Sequence, residues 1–119
     1  MKNERRKYPR VGLTGEASIA LSGIVRTGKL MNVSPSGIQI ESRRQLIEQL
    51  CRFKDDAGLY PEFDLEFVLP NGMPVKARCG VSHCRRISQE IYHLGLNFTA
   101  LSQLDEQRVD EYINHAVAA

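Results

Sequence analysis

Apolar and polar residues alternate along most of this chain. Ala17, Ile19 and Leu21 recur at every second position, with Ser18 between, which predicts a half-buried strand. Ser22-Gly23 can turn that strand into a second one, from about Ile24 to Val33, with a bend at Gly28. Ser34-Pro35-Ser36-Gly37 is a good turn sequence, because proline at its second position fixes φ and glycine suits its fourth. Ile38 and Ile40 then alternate with Gln39 and Glu41 in a third strand. Phe63, Leu65, Phe67 and Leu69 alternate with Asp64 and Glu66, the cleanest strand in the chain, and Pro70-Asn71-Gly72 signals a hairpin. The return strand carries Val75, Ala77, Cys79 and Val81 on one face and Lys76 and Arg78 on the other. The polar stretch from His83 to Glu90 reads as strand end and loop, and Tyr92, Leu94, Leu96 and Phe98 predict a last strand.

Two stretches change period. Leu46, Ile47, Leu50 and Cys51 fall at helical spacing, with Arg43, Arg44, Glu48, Gln49 and Arg52 left for the wet side. Asp55-Asp56-Ala57-Gly58 ends that short helix. Near the C-terminus, Ser102 and Asp105 have the spacing of a capping arrangement. Leu101, Leu104, Val109, Tyr112, Ile113 and Val117 form an apolar stripe to dock on the sheet. The expected class is all-β: a small six-stranded antiparallel barrel with a short helical insertion and a C-terminal helix. Residues 1–119 are read as one domain, with a flexible basic arm over 1–11, the barrel over 12–100 with the insertion at about 43–58, and the helix over 101–117.

Charge sharpens this picture. The formal net charge is +2, yet Lys2, Arg5, Arg6, Lys7 and Arg10 cluster in the first ten residues against Glu4 alone, so the remaining body is mildly acidic. On its own such an arm is equally well a solvated tail. No apolar run is long enough to span a bilayer, and no apolar segment follows the charged N-terminus, so a cytoplasmic protein without membrane insertion is expected. Cys51, Cys79 and Cys84 are odd in number and lack framework spacing, which suits reduced thiols in buried or half-buried strands. His83 beside Cys84 raises zinc, but the ligand count is short, and no metal is expected.

The candidate chemistry lies in two places. Arg6 and Arg10 can present two planar forks to phosphate, to guanine O6 and N7, or to the face of a base. In an extended segment they lie ~13 Å apart along the chain, at ~3.3 Å per residue. Asn32 offers amide donors and an acceptor, and Ser34 a hydroxyl, both at the end of one strand. Gly37 has no side chain to block a ligand lying across the turn. The alternative for Asn32 and Ser34 is that they only stabilise the turn through local hydrogen bonds.

Arg6-Lys7-Tyr8-Pro9-Arg10 and Asn32-Val33-Ser34-Pro35-Ser36-Gly37 together resemble the RxxxR and [D/N]xSxxG motifs of the PilZ domain, the bacterial receptor module for cyclic di-GMP. Leu94-Gly95-Leu96-Asn97-Phe98 before a C-terminal helix is similar to that family's closing strand and helix, so the resemblance spans nearly the whole chain. It implies a PilZ-like barrel with the ligand at its rim. Arg6 and Arg10 would take phosphates and guanine edges, Arg5 would assist, and Asn32, Ser34 and Gly37 would line the guanine pocket. Residues 43–58 are longer than the family's usual link, and their nearness in sequence to the motif turn suggests that they reshape the rim or build a partner surface.

The expected function is a cyclic di-GMP receptor that changes conformation and signals through a protein partner of motility, adhesion, exopolysaccharide or virulence control. The alternative is a PilZ-like adaptor that does not bind the nucleotide. A nucleic-acid polymer is a poorer ligand, because the body is acidic and no aromatic platform is evident. An enzyme is not expected, since no nucleophile–base–orienter set is suggested.

Overall fold

A computed structural model describes residues 10–118, which form seven strands and two helices. In chain order these are β1 (Val11–Gly12), β2 (Glu16–Leu21), β3 (Ile24–Ser34), β4 (Gly37–Arg43), α1 (Arg44–Arg52), β5 (Phe63–Val68), β6 (Pro74–Arg86), β7 (Ile91–Leu101) and α2 (Gln103–Ala118). Every strand pairing is antiparallel. The order is β1-β3-β2-β5-β6-β7-β4, and a further β3–β4 pairing closes six strands into a barrel. Alternation places Ile19, Leu65, Phe63, Cys79, Leu94, Leu96, Ile38 and Ile40 in its interior, all at most 1% exposed.

The turns follow their residue chemistry. Ser22 (φ 52°) and Gly23 (φ 81°) are both left-handed, which matches the twist of the β2–β3 hairpin. In the β5–β6 hairpin Leu69 N–H donates to Met73 O at 2.9 Å and Gly72 N–H to Leu69 O at 2.8 Å, while Asn71 Oδ1 accepts from Met73 N–H. β1 is an extra strand: Val11 and Gly12 pair with Val33 and Asn32. Val11, assigned to the arm by its position, is thus part of the sheet, and the arm segment carrying Arg5 and Arg6 lies outside the described residues. Gly28 is packed in the wall, where an added Cβ would lie 3.0 Å from Ile40 Cδ1, and the irregularity in β3 falls between Leu30 and Asn32 instead.

The insertion sits elsewhere than its place in the sequence suggests. β4 leads away from the motif turn, and its six steps at ~3.3 Å each put about 20 Å between Gly37 and Arg43. Helix α1 therefore sits at the opposite end of the barrel, and it does not shape the rim near the turn. Leu46 and Leu50 face the core as expected, but Gln49 is also buried, at 2% exposure, and Cys51 is exposed. Gln49 is tolerated inside because its amide is used: Nε2 donates to Leu21 O at 2.8 Å, and Oε1 accepts from Arg26 Nε.

Two further expectations are corrected. β6 continues to Arg86, pairing as far as Arg86↔Tyr92, so the polar residues from His83 extend a ribbon whose tip is 87–90. In α2 only Val109 and Ile113 are buried, while Leu104 and Val117 are 54% and 57% exposed and Leu101 ends β7. The N-terminus of α2 is capped as predicted, with Asp105 N–H donating to Ser102 Oγ at 3.0 Å and that hydroxyl donating to Asp105 Oδ2.

Candidate functional site

The motif turn joins β3 to β4 with Ser34 paired opposite Gly37. Ser34 is 2% exposed, and its hydroxyl is turned into the loop, 3.3 Å from Ser36 Oγ and 3.4 Å from Gly37 O. The Ser36 carbonyl accepts from Phe98 N–H at 2.9 Å, which ties the loop to β7. Gly37 lies directly against that strand: a Cβ built on it would be 2.1 Å from Leu96 O. Packing alone thus excludes a side chain at this position, whatever ligand lies above it.

Asn32 joins the two motifs. Its Oδ1 accepts from Arg10 Nη1 at 2.7 Å, and its Nδ2 donates to Gln39 Oε1 at 2.8 Å. The side chain is half-buried, oriented at both ends, and the Arg10 guanidinium is held over the outer face of β3. Sequence reasoning misses Gln39. Its only signal is its place on the polar side of β4, opposite Asn32.

The registers carry this row further across the sheet. Asn32 stands opposite Gln39, Gln39 opposite Gly95, and Gly95 opposite His83. The His83 ring lies over Gly95, where a Cβ would be 2.0 Å from Cε1. The result is a shallow polar surface running from Arg10 to His83 and bordered by the motif turn. Of the sequence-predicted residues, the structure brings together Arg10, Asn32, Ser34 and Gly37.

Other groups suit chemistry less well. Burial, reinforced by Asp64 and Glu62, pushes the Cys79 thiol up to about 12, so it is a core residue rather than a nucleophile. Cys51 and Cys84 are exposed instead of buried or half-buried. Among the described residues no group of three or more His, Cys, Asp or Glu side chains is placed to hold a metal ion. A cleft of about 580 Å³ lies between β5, β6, the end of β7 and the start of α2. Its lining mixes Asp64, Glu66 and Asp105 with Lys76 and Arg78, and Arg78 is already bonded to Asp64 and Glu62. No described helix is long and apolar enough to cross a membrane.

With this barrel and the Asn32–Gly37 turn in place, the chain belongs to the PilZ domain family, whose model matches residues 4–115. No curated protein matches the sequence. Among solved structures, the inhibitor of motility MotI (DgrA) of Bacillus subtilis is similar, with TM-score 0.69 and 17% identity over 96% of this chain and 52% of its own. The MrkH–c-di-GMP complex of K. pneumonia gives TM-score 0.68 and 16% identity over 96% and 53%. A second structure of MrkH, described as a c-di-GMP-dependent transcription regulatory factor, gives 0.66 and 13% over 96% and 52%. At these identities the likeness is one of fold, and the chain spans about half the length of those structures.

Proposed function

We propose that this protein is a non-enzymatic cyclic di-GMP receptor, cytoplasmic, that changes conformation on binding and signals through a protein partner. The observation that carries this reading is the Arg10–Asn32 hydrogen bond, which draws the end of the basic arm onto the motif turn. Family membership and the complex that MrkH forms with c-di-GMP support the choice of nucleotide. Arg6 and Arg10 take phosphates and guanine edges, Arg5 assists, and Asn32, Ser34 and Gly37 line the pocket against which the base rests. Calorimetric titration with cyclic di-GMP, beside GMP and single-stranded DNA, tests it. Tight binding of cyclic di-GMP alone is expected, weakening as salt rises because the attraction is largely ionic. No binding of any of the three leaves the adaptor reading in its place.

The arm supplies the conformational step. Lys2, Arg5, Arg6, Lys7 and Arg10 repel one another, and a ligand with two phosphates relieves that repulsion. Amides of residues 5–10, apart from Pro9, which has none, are expected to exchange quickly in the free protein and slowly with cyclic di-GMP bound. Protection already present without ligand would move the switch elsewhere in the molecule.

Ser34 acts through the turn that it braces. Its two contacts are long, so Ser34→Ala removes about 1 kcal/mol at most from stability. Binding is expected to weaken as well, because Ser36 and Gly37 lose the hydroxyl that orders them. Normal affinity with a lowered Tm would make Ser34 a residue of the turn only.

A further inference from the structure

The seam between β3 and β4 does not close along its whole length. The strands pair from Ser34↔Gly37 as far as Lys29↔Glu41. Beyond that point β3 continues back to Ile24 paired to β2 alone, while the chain after β4 departs into α1. The hydrogen-bond phase of β3 is fixed at both ends. Leu21 and Ile24 face each other across the two-residue Ser22–Gly23 turn, and Leu30 N–H donates to Gly15 O at 2.8 Å. Ile24, Arg26, Gly28 and Leu30 therefore turn their peptide groups toward β2. The N–H and C=O groups of Val25 and Thr27 turn the other way, toward the place that β4 has left. A cleft of about 380 Å³ opens there, lined by Val25, Arg26, Thr27, Arg43, Gln45 and Leu46. Val25 is 66% exposed.

We propose that this free edge of β3 accepts an extended, acidic segment of a partner protein as an added strand. An unpaired edge offers main-chain donors and acceptors at strand spacing, which another strand satisfies directly. Charge selects the occupant: Arg26 and Arg43 are the charged residues of the cleft, and neither has a carboxylate partner among the described residues. Arg26 is held in place by the buried Gln49. The chain's own basic arm carries the wrong charge to fill the cleft, and a second copy would set Arg26 and Arg43 against their like. A bilayer offers no main-chain partner for the N–H and C=O groups of Val25 and Thr27, whereas an added strand does. The inference gives the partner of the proposed receptor a docking surface, but it rests on the strand edge and not on nucleotide binding.

The test uses the full chain and a fluorescein-labelled peptide of alternating glutamate and valine. An alternating lysine–valine peptide, the acidic peptide interrupted by prolines, and phosphatidylserine vesicles serve as comparisons. Saturable anisotropy is expected with the acidic peptide alone, with amide exchange at Val25 and Thr27 slowed. Arg43→Glu should weaken the complex at least about tenfold, as loss of an interfacial charge pair does. Val25→Pro removes an edge donor that β2 does not use, and it should abolish binding while the barrel still melts cooperatively. Unchanged exchange at Val25 and Thr27, equal binding of the lysine peptide, or preference for the vesicles would each overturn the proposal. Cyclic di-GMP is titrated into the same sample, so failure of the peptide and failure of the nucleotide are read separately.

Discussion

Arg10→Ala is expected to lower the affinity for cyclic di-GMP by at least about tenfold while leaving the barrel folded. A hydrogen bond to a charged group contributes about 1.5–3 kcal/mol net, and each 1.4 kcal/mol is about tenfold in affinity. The substitution acts twice on the proposed site. It removes a guanidinium that would meet phosphate or guanine, and it frees the Asn32 amide that Arg10 now orients. Stability should change little, because the Arg10–Asn32 bond is exposed and the rest of the Asn32 anchoring, through Gln39, remains. Arg6→Ala should weaken binding similarly. Calorimetry on both variants, with thermal melts alongside, decides the matter: unchanged affinity in both would remove the arm from the site.

Gly37→Ala should damage the fold itself. Its Cβ would lie 2.1 Å from Leu96 O and 3.2 Å from Leu96 C, both main-chain atoms of β7. A flexible side chain could move aside, but a paired strand cannot without opening the β4–β7 ladder at Gly37↔Asn97. Overpacking in a tight core costs about 1–3 kcal/mol and occasionally more, and a main-chain obstacle belongs at the upper end. At the 4–8 °C that each kcal/mol costs a small domain, a loss of about 3 kcal/mol should lower Tm by roughly 12–24 °C. Weak binding by this variant would therefore report the state of the sheet, not contact with the ligand. A melting point within about 2 °C of the parent, against the 4–8 °C that 1 kcal/mol costs a small domain, would show that β7 yields easily.

What was legible in the sequence was whatever a period of two can encode. β2 and β5 alternate strictly because one face meets the core and the other water, and both lie where the pattern put them. The outer half of β6 was illegible for the same reason: from Ser82 to Arg86 neither face is buried, so nothing alternates. Polarity alone puts Gln49 on the wet side, whereas a carbonyl 28 residues away receives its amide and lets it stay inside. Two motifs marked the proposed site, and the link between them at Asn32 was not visible, since it requires β1 to bring Arg10 beside β3. In the sequence Gly37 signals only the space that it leaves a ligand, but the carbonyl beneath it comes from Leu96, a contact only the closed barrel creates.

The double pairing of β7, with β6 on one side and β4 on the other, bears on how the molecule is made. Until β7 is in place, the N-terminal strands and the β5–β6 hairpin have no ladder closing them on that side. Loop-closure entropy must be met before such non-local pairs give anything back, so closure is a slow event in folding. On the ribosome it waits until β7 has emerged. The motif turn is synthesised early, yet it gains its anchor at Phe98 and its wall at Leu96 only with that strand. An unfinished chain therefore carries both motifs without the surface on which they act, and competence to bind arrives with closure of the barrel.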